Sequence, residues 1–257
     1  MRASCASVAL LAALLANGCA DGKVAIAPPL LHYEMAPGDH RIEFYAPNDW
    51  TVVNQGSEIT IRKGSIEKGI RAIEIRDLGP AGRDGIEAEV RRSRELWTAG
   101  KDADARWRLK QIYVARESFT TASQRNNFWL TLHDLTGAPR NAESSDIDQM
   151  FTALLDSVRA LDPPTFAESV DQALAPIEDL KLRREVTKRT KIAIDGHDAL
   201  RFETRYRQTH ADPRSYVVIR NGSRLLGVWT DHERPRGTLN PAWKTLVQSL
   251  KIRPAAS

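Results

Sequence analysis

Alternating apolar and polar residues predict strands in the first half of the chain. Between residues 42 and 76, short runs rich in β-branched and aromatic side chains are separated by turn residues, which indicates a meander. Two longer runs of this kind predict strands over residues 107–115 and 127–135. All of these strands are expected to pair with their neighbours in antiparallel sheets.

Two hairpins are predicted in the last third of the chain, over residues 192–206 and 216–229. Asp195-Gly196 lies at the centre of the first segment and Asn221-Gly222 at the centre of the second. Both dipeptides favour the positive φ angles of a type I′ turn.

Apolar residues at helical spacing predict four helices. They cover residues 86–97, residues 146–161 with Ser145 as the N-cap, residues 166–174, and a last segment that begins near Leu239. Antiparallel sheets flanked by helices define the α+β class.

The domain organisation follows from a break at Asp162-Pro163-Pro164. It predicts an N-terminal unit over residues 41–162 and a C-terminal unit over residues 163–257. The apolar stripe of residues 151–158 matches that of residues 243–250, so the two units are interpreted as diverged copies. The alternative is that two amphipathic helices look alike.

The first residues have the layout of a signal peptide. Arg2 precedes a short apolar run, and residues 1–18 are predicted to be cleaved. Leu15-Ala16-Asn17-Gly18-Cys19 resembles the lipobox of bacterial lipoproteins, although Leu15 stands one position early. The resemblance implies lipidation of Cys19 with palmitate-type chains. The alternative is a secreted protein cut near Ala20.

The cysteines and the residue after Cys19 refine this prediction. Both cysteines of the chain, Cys5 and Cys19, lie in the leader region, so no disulfide is possible beyond it. Residues 19–40 are rich in proline and are predicted to form a tether. In a Gram-negative host, Ala20 in place of aspartate favours the outer membrane, with the body facing the periplasm.

Charge is nearly balanced overall but uneven along the chain. Without Arg2, 36 basic side chains stand against 33 acidic ones, which argues against nucleic-acid binding. Residues 181–236 hold fourteen Lys or Arg and seven Asp or Glu. This excess of basic residues predicts a surface that binds an anionic partner. The alternative interpretation is a solvated outer face without a partner. The residues assigned to the surface are Arg201, Arg205, Arg207, Arg220 and Arg224.

Candidate chemistry is sparse. Ser65-Ile66-Glu67-Lys68 has the Ser-x-x-Lys spacing of penicillin-recognising enzymes but lies between strand-like runs and lacks the accompanying motifs. The six histidines are scattered, with no close pair to bind a metal ion. No catalytic residue, metal site or cofactor is therefore predicted.

Motifs at both ends of the chain resemble the PsbP-like and DcrB-like proteins. They lie in residues 44–50, 194–202, 216–229 and 243–252. The resemblance implies an antiparallel sheet packed by helices and a mostly non-enzymatic family. Because residues 107–165 exceed a single copy, the chain is either two copies or one copy with a large insertion.

These observations favour a membrane-anchored envelope lipoprotein that acts as a non-enzymatic binding or assembly module with a protein partner. One alternative is an immunity-type lipoprotein that neutralises a periplasm-targeted toxin. Another is an envelope hydrolase of unrecognised type.

Overall fold

The computed structural model describes residues 28–63, 72–113, 115, 119, 121–139, 143–162, 164–175, 184–206, 214–230 and 239–253. These ranges contain the strands β1 (Leu30–Met35), β2 (Arg41–Pro47), β3 (Trp50–Asn54), β4 (Glu58–Lys63), β5 (Ala72–Pro80), β6 (Arg184–Ile194), β7 (His197–Tyr206), β8 (Arg214–Asn221), β9 (Arg224–Thr230) and β10 (Lys251–Arg253). They contain the helices α1 (Gly82–Thr98), α2 (Asp102–Gln111), α3 (Ala122–Gly137), α4 (Ser144–Arg159), α5 (Phe166–Leu174) and α6 (Leu239–Ser249). The α+β class is confirmed.

Two antiparallel sheets join the two ends of the chain. The larger has the order β3-β4-β5-β9-β8-β7-β6, and the smaller has the order β1-β2-β10. Strand β5 precedes five helices in the chain and β9 follows them, yet the two strands pair from Ile73↔Thr230 to Pro80↔Arg224. The separation into units 41–162 and 163–257 is therefore wrong, because one sheet crosses the predicted boundary.

The tether prediction for residues 19–40 is wrong in its second half. Residues 30–35 form β1, which pairs with β2 along its whole length. Tyr33 stacks on Phe44 with ring centroids 5.5 Å apart, so apolar contacts reinforce the pairing. Cys19 lies outside the described residues.

Helices cover both faces of the larger sheet. On one face, Trp243 and Leu246 of α6 pack with the smaller sheet into a single buried cluster. On the other face, Val170 and Leu174 of α5 pack against Phe202 of β7. The α5 helix begins at the predicted residue and is capped by Thr165, whose hydroxyl accepts from the Glu168 amide.

Helices α1–α4 bury a separate apolar cluster. The strands predicted over residues 107–115 and 127–135 are wrong, because residues 102–111 and 122–137 are helical. In α3 the buried Phe128, Leu132 and Leu135 recur at helical spacing, although aromatic side chains are also frequent in strands. None of the described helices has the length and apolar character needed to cross a membrane.

The predicted helix over residues 86–97 lies within α1 and is confirmed, and the helix predicted over residues 146–161 is confirmed as α4, which ends at Arg159. The N-cap of α4 is Glu143 rather than Ser145. Since α4 follows helices and not paired strands, the interpretation as two diverged copies is wrong. Helices α1–α5 lie between β5 and β6 in the chain.

The two hairpin turns differ in type. Asp195 and Gly196 have φ angles of 49° and 82°, which confirms the type I′ turn. In the second hairpin Asn221 pairs with Arg224, so the turn residues are Gly222, with φ of 60°, and Ser223. Glycine at the first central position indicates type II′, and the predicted type I′ turn is wrong here.

Candidate functional site

Ionisable side chains from five parts of the fold meet at one end of the larger sheet. We call this group the buried ionic cluster. Its members are Asp39 and His40 of the β1–β2 loop, Asp77 of β5, Glu89 of α1, Arg108 of α2 and Arg224 of β9.

Asp77 is the most highly coordinated carboxylate of the cluster. It accepts hydrogen bonds from the backbone amides of Asp39 (3.3 Å) and Gly79 (2.9 Å), from His40 Nε2 (3.2 Å) and from Arg224 Nη2 (2.8 Å). Burial by itself raises the pKa of this carboxyl. The His40 hydrogen bond and the Arg224 charge outweigh burial and hold the pKa of Asp77 far below its usual range.

Glu89 joins the two arginines. It accepts from Arg108 Nη1 at 2.6 Å through Oε1 and from Arg224 Nη1 at 2.8 Å through Oε2. Arg108 also donates two hydrogen bonds to Asp39, at 3.0 and 3.1 Å. Burial lowers the pKa of Arg108, but hydrogen bonds to Asp39 and Glu89 outweigh it and raise that pKa. The arrangement fixes α1 and α2 against β9 and the β1–β2 loop.

His40 is held by both ring nitrogens and is only 1% exposed. Its Nδ1 lies 3.0 Å from Asn221 Nδ2, which donates to it. Its Nε2 lies 3.2 Å from Asp77 Oδ1. Both ring nitrogens are therefore engaged within the cluster.

Two glycines allow the backbone to approach the cluster closely. Gly38 has a φ of 59°, and a Cβ placed there would lie 2.1 Å from Asp77 Oδ2. A Cβ on Gly85 of α1 would lie 2.3 Å from the carbonyl oxygen of Ser223, in the β8–β9 turn. Both positions require the absence of a side chain.

A cleft of about 590 Å³ opens above the cluster. Asp39, His40, Glu89, Arg108 and Arg224 form its floor, where the charges are paired with one another. Its remaining lining residues include Ala36, Gly38, Ala88, Glu95 and Ser223, together with Arg41, Arg91 and Arg92.

The arginines at the mouth of the cleft differ from those in its floor. Arg91 is exposed and pairs with Glu87 one helical turn away. Arg41 and Arg92 are exposed and form no ion pair with any residue that the structure describes. The mouth therefore presents two cationic groups without a partner in the described part of the chain.

The predicted basic surface is not assembled as expected. Arg201 lies over the Trp243 ring on the α6 face of the sheet, at 5.4 Å. Arg220 lies over the Phe166 ring on the α5 face, at 4.8 Å. Arg224 is buried in the ionic cluster, so its assignment to an exposed surface is wrong. The Arg205 side chain and all of Arg207 lie outside the described residues.

Sequence reasoning missed five of the six cluster residues, although two carried a readable signal. Glu89 lies on the buried stripe of α1 between Ile86 and Ser93, and Asp77 continues the buried alternation of Ile73 and Ile75. A carboxylate on a buried stripe indicates a cationic partner. The sequence around Asp77 and Glu89 does not identify which cationic residue is the partner. Ser65 and Lys68 lie outside the described residues.

The close approach at Gly38 predicts a destabilising Gly38→Ala substitution. The Gly56→Ala variant is the matched control, because Gly56 also has a positive φ (73°) but has no atom within 4 Å of an added Cβ. The control is expected to lose about 1–2 kcal/mol in the free energy of unfolding from backbone strain. Gly38→Ala is expected to lose about 1–3 kcal/mol more, because Asp77 must move. Urea unfolding measures both, and equal losses would contradict the steric account.

Comparisons with known proteins complete the description. No protein-family model matches the chain, and no curated protein matches it significantly in sequence. Among solved structures, the cyanobacterial PsbP (CyanoP) of Synechocystis sp. PCC 6803 is 14% identical. The match covers 92% of this chain and 98% of CyanoP, with a TM-score of 0.39. LpqN, involved in cell envelope biogenesis of Mycobacterium tuberculosis, is 10% identical, with 88% of this chain and 92% of LpqN covered and a TM-score of 0.34.

Proposed function

We propose that this chain is a lipid-anchored protein of the bacterial envelope, attached through Cys19 to the outer membrane and facing the periplasm. Its body acts as a non-enzymatic binding module whose cleft takes a small anionic ligand. The observation that supports the binding role is that Arg41 and Arg92, at the mouth of the cleft, form no ion pair with any described residue.

The dimensions and charge of the cleft favour a ligand of small-molecule size. Its volume of about 590 Å³ falls within the range of ligand pockets, about 300–1,000 Å³. The arginines of the floor are not available to an incoming anion, because they already bind carboxylates. The exposed guanidinium groups of Arg41 and Arg92 suit a carboxylate or a phosphate ester.

The rigid floor supports binding and gives no support to catalysis. Among the described residues that line the cleft, Ser223 is the only hydroxyl side chain and His40 the only imidazole. Both His40 nitrogens are engaged, with Asp77 and Asn221, so this histidine is not free to activate a nucleophile. A preorganised site of this kind lowers the entropic penalty of binding.

The leader region supports the anchored location. Cys19 stands about nine residues before Pro28, the first described residue, and this segment reaches at most about 30 Å when extended. Strand β1 is the outer strand of the smaller sheet, and the loop that follows it lines the cleft. A lipid on Cys19 therefore keeps the body close to the leaflet.

Reversal of the two mouth arginines is expected to weaken binding of a small anion. The probe is sn-glycerol 3-phosphate, titrated calorimetrically into the full-length protein in non-ionic detergent. The Arg41→Glu/Arg92→Glu variant is expected to bind at least about tenfold more weakly, a loss of about 1.4 kcal/mol. Wild-type affinity is expected to fall as salt rises.

The matched control is Lys101→Glu/Lys110→Glu, which makes the same change in net charge at two exposed residues outside the cleft. It is expected to retain wild-type affinity. An equal loss in both double variants, or no saturable binding by the wild-type protein, would contradict a ligand site in the cleft.

Substitution of each of the two leader cysteines tests the proposed lipid anchor. Cys19→Ala is expected to abolish palmitate labelling and to release the protein from membranes, because the lipidated residue is missing. Cys5→Ala is expected to leave both unchanged. Mass spectrometry of the amino terminus, together with membrane fractionation, measures these outcomes. An unmodified wild-type terminus would refute the anchor.

A further inference from the structure

Three side chains with metal-binding atoms meet on the exposed side of the smaller sheet, outside the cleft. They are His32 and Glu34 of β1 and Glu43 of β2, and one ligand atom from each lies within 4.8 Å of the others. Residues two apart in a strand share a face, which brings His32 and Glu34 to the same side. Glu34 lies directly opposite Glu43 in the ladder. The sequence did not indicate this group, because its members come from two strands.

The distance between the His32 and Glu43 ligand atoms fits a small tetrahedral metal ion. Ligands about 2.1 Å from a tetrahedral zinc ion lie about 3.4 Å apart. His32 Nε2 and Glu43 Oε2 are 3.6 Å apart. These two groups therefore need almost no movement to bind one ion.

Neighbouring side chains already orient two of the three groups. Glu43 accepts a hydrogen bond from Arg253 Nε at 2.8 Å through Oε1. Its other oxygen, Oε2, is the one that faces His32. The His32 ring packs against the Tyr45 ring, with centroids 5.1 Å apart. Hydrogen bonds to ligating carboxylates and fixed imidazole rings are the usual surroundings of metal ligands.

The ladder position of the two glutamates supplies an independent argument. Like charges directly opposite each other in an antiparallel pair are destabilising. Arg253 neutralises part of this charge through Glu43, whereas Glu34 forms no ion pair with any described residue. A divalent cation between the carboxylates would remove the remaining repulsion.

We propose that His32, Glu34 and Glu43 form a zinc-binding site on the smaller sheet. Imidazole nitrogen favours zinc over calcium and magnesium, which prefer oxygen ligands. Three protein ligands leave a fourth position for water or for a donor atom of a bound partner. Ala36 and Arg41 border both the cleft and the depression beside the metal ligands.

The test is calorimetric titration of Zn²⁺ into the full-length protein in detergent, without glycerol phosphate, so its outcome is separate from that of the cleft. One ion per chain is expected. His32→Ala and Glu34→Gln are each expected to weaken binding at least about tenfold, and a large excess of Mg²⁺ is not expected to compete. Circular dichroism checks that each variant is folded.

The matched control is His133→Ala. His133 is an exposed histidine 3.7 Å from the Asp134 carboxylate but is not part of a group of three ligands. It is expected to leave zinc affinity unchanged. The proposal is overturned by unchanged affinity in His32→Ala, by an equal loss in His133→Ala, by competition from Mg²⁺, or by no saturable zinc binding by the wild-type protein.

Discussion

The ion pairs of Arg108 and Arg224 tie together parts of the chain that are far apart in sequence. Through Asp39, Asp77 and Glu89 they connect the β1–β2 loop, the central strand pair and helices α1 and α2. Burying a charge is unfavourable unless its partners are in place. Each arginine therefore fixes the position of every element that supplies a carboxylate to it. Helices α1 and α2 cannot shift against the sheet without leaving buried charge unpaired.

This constraint links the fold to its proposed role. The cluster lines the cleft, and its charges are paired with one another, whereas Arg41 and Arg92 at the mouth form no ion pair with a described residue. The proposed ligand would meet these exposed cationic side chains above a floor whose charged groups are already paired. The smaller sheet, which carries the proposed zinc ligands, is attached through the same β1–β2 loop.

Local signals were sufficient for much of the fold but not for the site. The Asp195-Gly196 turn and the capped α5 helix depend on short-range chemistry and could be predicted. The prediction of a strand at α3 is wrong because the aromatic residues of this segment also suit strands. Its helical form depends on packing against α4. Asp77 and Arg224 meet through pairing of β5 with β9, 147 residues apart in sequence. No local pattern encodes such a contact, so the cluster could not be predicted.

Urea unfolding of the wild-type protein and the Asp77→Asn variant across pH tests the cluster most directly. The pKa of Asp77 is lowered in the folded state, so its stabilisation is complete well above the unfolded value, about 3.9, and is lost as pH falls below it. At neutral pH the variant is expected to be about 3–5 kcal/mol less stable, because buried positive charge loses its partner. This difference is expected to shrink steadily below about pH 4. A difference that stays constant from pH 7 to pH 3, or that is absent at pH 7, would contradict the account.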